Sequence, residues 1–288
     1  MAVLDIDRLL SYRVPEYRES YDLRDTILYA LGVGAGLSEN VDELGFLYER
    51  DLKALPTMAL VLGTPGFWAM DPKTGLDWQH ILHGEESLVL HRPIEAEGEL
   101  VGKTWVEDIA DKGLGKPVMI RSRRTLSTLS GLLVAEMSEL WVVRGAGGFG
   151  GERNLPGEPL PPVPDLPADC TIELPTSRNQ ALIYRLSGDR NPLHADPELA
   201  RSVGFDGPIL HGLSTMGVIG RALIHMCAEG NPRHLRSMKL RFTAPVVPGD
   251  VIATEIWDEG DGSARFRASV PARGVVVADC GIATFGRI

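Results

Sequence analysis

The stretch YRLSGDRNPLH, residues 184–194, packs a carboxylate (Asp189), an amide (Asn191) and an imidazole (His194) into one short run. On a continuous helix Asp189 and His194, five apart, would sit on different faces, because only residues three or four apart are neighbours there. The sequence argues against such a helix. Gly188 weakens the helical pattern of Leu182, Ile183 and Leu186, and Pro192 pushes Asn191 out of the helical region. The chain is therefore expected to turn between Asp189 and His194 and bring both side chains into one small volume. A carboxylate beside an imidazole can move protons near neutral pH and hold a water between them, and with no nucleophile alongside they suggest addition or removal of water. Asp, Asn and Pro also favour ordinary turns, so this stretch alone leaves a turn and a site both open.

The continuation DGPILHGLSTMGVIGRAL, residues 206–223, adds to the case for a site. After the Gly-Pro turn, His211 and Gly212 are expected to open an apolar helix running to about Cys227. A helix start leaves backbone amides unpaired at the positive end of the helix dipole, so the Gly212 amide could polarise a carbonyl oxygen. Gly217 and Gly220 are costly inside a helix and are expected to permit close packing against a sheet.

Working outward, the chain repeats itself. Tyr29–Gly34 parallels Tyr184–Asp189, and Thr57-Met58 parallels Thr215-Met216. Pro93 and Pro245 each lie twelve residues before a tryptophan, Trp105 and Trp257, and Val134-Ala135-Glu136 echoes Val277-Ala278-Asp279. In the second copy, Met238, Leu240 and Phe242 alternate with Lys239 and Arg241, and residues 251–257, 264–270 and 275–285 read as strands. A helix on an antiparallel sheet, duplicated, is an α+β arrangement. At the place of Asp189 the first copy carries Gly34, and at that of His194 it carries Glu39, so the first copy cannot run the same chemistry. Gly145-Ala146-Gly147-Gly148-Phe149-Gly150-Gly151, followed by six prolines between residues 156 and 167, reads as a linker. The expected boundaries are 1–144 for the degenerate copy, 145–169 for the linker and 170–288 for the catalytic copy.

Y-x-L-S-G-D-x-N-P-L-H followed by P-I-L-H-G-L resembles the signature of the MaoC-like, or hydratase 2, family. Residues 25–37, 46–59, 81–100, 108–115 and 145–152 extend the likeness to its two-hot-dog members, including the hydratase part of peroxisomal multifunctional enzyme type 2. The resemblance implies a double hot dog, each repeat a long helix on an antiparallel sheet, and hydration of trans-2-enoyl-CoA to (R)-3-hydroxyacyl-CoA without a cofactor. It assigns catalysis to Asp189 and His194 and acyl-tail binding to the degenerate copy, and it matches Glu49 to a glutamate near the active site. Asn191 is expected to orient the water or the carboxylate, and Tyr184 to position the others. Arg190, Arg236, Lys239 and Arg241 are candidates for the CoA phosphates. A hot dog thioesterase and a non-catalytic acyl-CoA-binding subunit are the alternatives. The acyl group, the physiological direction and the choice of base between Asp189 and His194 stay open.

Composition narrows the remaining classes. With 288 residues, 44% apolar and 24% charged, the chain has the make-up of an ordinary globular protein. Its net charge of −10 argues against nucleic acid or an anionic membrane as main partner. Three widely spaced cysteines, Cys170, Cys227 and Cys280, suit a reducing compartment. The N-terminal segment, broken by Asp5, Asp7 and Arg8, lacks the apolar core of a signal peptide, and Gly286-Arg287-Ile288 is not a peroxisomal address, so a cytoplasmic location is expected. Gly145, Gly147 and Gly150 imitate a dinucleotide fingerprint, but prolines follow where its helix is required, so no nicotinamide or flavin is expected. Asp189, His194 and His211 lack a compact ligand spacing, so no metal is expected either. His83 is expected to be structural, in a strand. A further homodimer of the whole chain is left open.

Overall fold

The structure, a computed structural model, describes residues 3–286; Arg287 and Ile288, on which part of the targeting expectation rests, lie outside them. The elements in chain order are α1 (Ile6–Ser11), β1 (Tyr17–Tyr21), α2 (Leu23–Gly32), β2 (Ile81–Leu90), β3 (Gly98–Asp111), β4 (Val118–Thr128), β5 (Leu133–Val143), β6 (Cys170–Pro175), α3 (Gln180–Tyr184), α4 (Pro197–Ser202), α5 (Gly212–Cys227), β7 (Leu235–Phe242), β8 (Val251–Asp258), β9 (Ser263–Val270) and β10 (Val275–Phe285). All ten strands form one antiparallel sheet in the order β1-β3-β4-β5-β2-β7-β10-β9-β8-β6. Five strands from the first half thus lie beside five from the second. The seam between them is β2 against β7, where Glu85 faces Arg241, Ser87 faces Lys239 and Val89 faces Ser237. Adding the 152-residue offset of the Pro93/Pro245 repeat to Glu85 gives Ser237, and to Val89 gives Arg241, so the outer two pairs are images of each other about the central one.

Helix α5 packs against both halves. Residues 214–224 of α5 are all buried, including Met216, Val218, Ile219 and Leu223, so this helix is enclosed on every side. Each such side chain contributes roughly 1.5–3 kcal/mol on leaving water. The helix packs on β6, β7 and β8 and on a short 3₁₀ turn, Pro56–Leu60, from the first half. Where a long helix was expected in both copies, the first half holds only this turn at the Thr57-Met58 position. Pro56 starts it, and Gly63, Pro65 and Gly66 prevent its continuation.

The closest approaches to the two α5 glycines come from the first half, while the expected sheet is reached from Gly220 at Met238 Sδ, 3.8 Å away. A Cβ on Gly217 would lie 2.4 Å from Val33 Cγ1, at the end of α2, and one on Gly220 would lie 2.8 Å from Thr57 Cγ2 in the 3₁₀ turn. Their bareness therefore lets the helical segments of the two halves touch. Arg221, next to Gly220 in the helix, is fully buried and binds Glu43 through Nε and Nη2, both at 2.6 Å, and the Val33 carbonyl at 2.8 Å. Burial alone would raise the Glu43 carboxyl, but His225 and Arg221 more than offset it and hold it down to about 2. The glycine-rich segment after β5 folds onto the end of β3, where Asp111 accepts from the amides of Gly113, Gly148 and Gly150.

Candidate active site

The turn between Asp189 and His194 forms as its residues require. Helix α3 tightens into a 3₁₀ turn, Arg185–Ser187, and stops at Gly188, whose φ of +125° excludes most side chains. Asn191 caps a second 3₁₀ turn, Pro192–His194, by accepting from the Leu193 amide at 3.1 Å, while its own amide donates to Asp189 Oδ1 at 3.1 Å. Asn191 thus orients the carboxylate through its backbone, and its side chain fixes the turn. Asp189, His194 and His211 each present a ligand-type atom within 4.8 Å of the others.

His194 is 8% exposed, and its Nδ1 lies 2.8 Å from the Ile209 carbonyl. A carbonyl can only accept, so Nδ1 carries the proton and the neutral ring keeps its lone pair on Nε2. Burial lowers the His194 pKa from its ordinary value, with Asp189 pulling the other way. His211 stacks on it with ring centroids 3.7 Å apart, donates from Nε2 to the Asp189 carbonyl at 3.2 Å, and is held well below its usual pKa by burial and then by His194. Tyr184 lies behind the pair, fully buried, its ring 4.8 Å from that of His211. It supports the two imidazoles without reaching the cavity.

Asp189, Asn191, His194, Gly212, Leu213 and Thr215 share the wall of one cavity of about 540 Å³. Helix α5 begins at Gly212 with His211 as its cap residue, and no side chain caps its first-turn amides. Those amides face the same space as the Asp189/His194 pair, at the positive end of a sixteen-residue helix.

Other sequence candidates fall elsewhere. Glu49 is exposed, in a turn where Tyr48 and Arg50 pack on each other; the buried glutamate nearby is Glu43, committed to Arg221. Arg190 is exposed and does not line the cavity. Arg236, Lys239 and Arg241 lie on β7 outside the cavity wall, and alternation turns Lys239 and Arg241 away from the face carrying Met238 and Leu240. Arg241 is moreover paired with Glu85 at 2.7 Å. The cations on the wall are Arg123, Arg124 and Arg144.

His83 is in a strand, as expected, but it belongs to the cavity rather than to the core alone. Strict alternation would put His83 and Glu86 on opposite faces of β2. The register against β5 slips between His83/Trp141 and Glu85/Leu140, leaving Gly84 as the extra residue of a β-bulge, and both side chains then turn to one face. His83 Nε2 lies 2.9 Å from Glu86, and Glu139 is adjacent. A lone glycine within a strand pattern is the sequence signal that marks such a bulge.

The comparisons agree with this architecture. Residues 161–279 match the family model described as MaoC like domain, and residues 20–145 match the MFE-2 hydratase 2 N-terminal domain. A Mycobacterium tuberculosis protein named 3-hydroxyacyl-thioester dehydratase Y is 46% identical over 255 residues, covering 86% of this chain and 85% of that one. The peroxisomal enoyl-CoA hydratase 2 of Arabidopsis thaliana is 35% identical, covering 88% and 87%. Among solved structures, a MaoC-like dehydratase from Phytophthora capsici aligns with a TM-score of 0.84 at 36% identity, over 99% of this chain and 100% of that one. A more distant M. tuberculosis protein described as having a double hot dog fold aligns at 0.56 with 14% identity, over 95% of this chain and 96% of that one, and speaks to the fold alone. With two family models side by side along its length and relatives aligned over most of both chains, this protein belongs to the MaoC-like, hydratase 2 family and has a double hot dog fold.

Proposed function

We propose that the protein is a hydro-lyase that reversibly adds water to a trans-2-enoyl-CoA to give the (R)-3-hydroxyacyl-CoA. The names of its relatives support the reaction class. The observation that carries it to particular residues is the free Nε2 lone pair of His194, held beside Asp189 in the cavity that receives the uncapped start of α5.

In this reading the thioester oxygen accepts from the Gly212 amide and, as second donor, the Leu213 amide, drawing electron density from the conjugated double bond and leaving C3 electrophilic. A water between Asp189 and His194 attacks C3. His194 takes its proton through Nε2, Asp189 holds its other hydrogen, and a proton from the pair is delivered to C2, so the elements of one water are added and the site is restored. His211 and Tyr184 keep the His194 ring in place. Residues 1–144 house the acyl tail, 145–169 connect, and 170–288 supply the acid/base pair. The three free cysteines support placing the enzyme in the cytoplasm.

The test follows loss of enoyl-thioester absorbance with crotonyl-CoA, a long-chain enoyl-CoA and a steroid enoyl-CoA, with a free-thiol assay alongside. Absorbance loss without thiol release is expected, whereas thiol release would move the protein to the thioesterases. Because burial lowers the His194 pKa, the neutral ring persists through neutral pH, and the acid limb of kcat/KM is expected below about pH 6.5.

A further inference from the structure

The cavity has a second polar pole, built entirely by the first half. His83 and Glu86 come from β2, Ser122 and Arg124 from β4, and Glu139 and Trp141 from β5. Part of this pole is closed on itself. Glu139 accepts from Ser122 Oγ at 2.7 Å and from Trp141 Nε1 at 3.0 Å, and Arg124 donates to the carbonyls of Leu60 and Leu62. The His83/Glu86 pair is different. Glu86 is only 3% exposed, yet just one of its oxygens is used, by His83, and the other accepts from no described residue. The Nε2 of His83 faces two acceptors, Glu86 at 2.9 Å and the Glu85 carbonyl at 3.1 Å, so it carries a proton; Nδ1 has no partner among the described residues and is a donor in the imidazolium form that the Glu86 contact favours, and the ring lies edge-on to Phe242 at 4.9 Å. That Phe242 ring in turn rests against Gly212. The unused donor and acceptor therefore lie one aromatic ring away from the start of α5, in the space assigned to the acyl group.

A hydrocarbon chain filling this space would strip water from both groups and return no hydrogen bond. An anionic acyl group would meet the Glu86 and Glu139 carboxyls, and a cationic one the Arg124 guanidinium. A carbonyl could accept from His83 but would leave the Glu86 oxygen unused. A hydroxyl satisfies both, donating to Glu86 while accepting from His83. We propose that His83 and Glu86 form a subsite for a hydroxyl carried on the acyl chain, so that hydroxylated enoyl thioesters are preferred over plain ones of the same length. The Gly84 bulge is the device that aims both side chains at it. This inference rests on the hydratase reading.

The experiment compares trans-2-enoyl-CoA thioesters of one chain length, plain and with a hydroxyl moved outward from C5, on the wild type and on His83→Phe and Glu86→Leu. In the wild type at least one hydroxyl position should raise kcat/KM about tenfold over the plain chain, and within each variant that ratio should fall to about one. The ratio is internal to each protein, and the wild-type comparison does not depend on a variant folding. Turnover of the plain chain with no hydroxyl position favoured overturns the subsite and leaves the hydratase standing. A preference that survives both substitutions overturns it as well. Turnover of neither kind of substrate removes the hydratase reading and the subsite with it.

Discussion

Thr215-Met216 and Thr57-Met58 occupy matching places in the two halves, but the first pair sits inside a sixteen-residue helix and the second inside a five-residue 3₁₀ turn. The consequence is visible in what covers each sheet. In the second half α5 lies on β6, β7 and β8 and fills the space above them. In the first half the chain after the short turn, from Val61 to Trp68, lines a cavity with β2, β4 and β5 instead. Where the first half has no long helix there is a cavity, and the start of the second half's helix lines it.

Five substitutions, in three comparisons, test this division, beginning with the largest effect. Asp189→Asn or His194→Ala should lower kcat/KM by about 10²–10⁴-fold, while Glu39→Gln, at the matching place in the first half, should leave it unchanged; steady-state assay of the purified variants decides, and a comparable loss at Glu39 would break the comparison. Next comes the contact that ties the halves together. Arg221→Met leaves Glu43 buried without its main partner and should cost about 3–5 kcal/mol, read as a fall in Tm on the order of 10 °C. The smallest effect is expected from Gly217→Ala, whose new methyl would press on Val33 across the same junction; roughly 1–3 kcal/mol should be lost in denaturant unfolding. A neutral result there would mean that the halves can separate slightly without penalty.

Much of this was legible in the residues, and the exceptions have physical causes. Strands expected at 251–257, 264–270 and 275–285 occur as β8, β9 and β10 within a residue, because period-two alternation and Gly or Asp turns bound them sharply. The turn from Gly188 to His194 and the helix start at Gly212 follow from local backbone rules that tertiary packing did not override. Glu49 could not be placed, since a charged residue in a loop carries no periodicity to say which way it faces. His83 and Glu86 were missed because a bulge shifts the phase of alternation midway along β2, and the phase is what a pattern reading relies on. The helix of the first half was expected by analogy with the second, although Pro56, Gly63, Pro65 and Gly66 were already there to forbid it.

The β2/β7 seam has one more effect. Two separate copies of such a unit would find each other by diffusion, with an occupancy set by their concentration, and any change in one would appear in both. Joined in one chain, the partners meet at an effective concentration fixed by the tether, on the order of millimolar for a short flexible connection. Pairing of the halves then survives dilution, and each is free to accumulate its own substitutions without being matched by its twin.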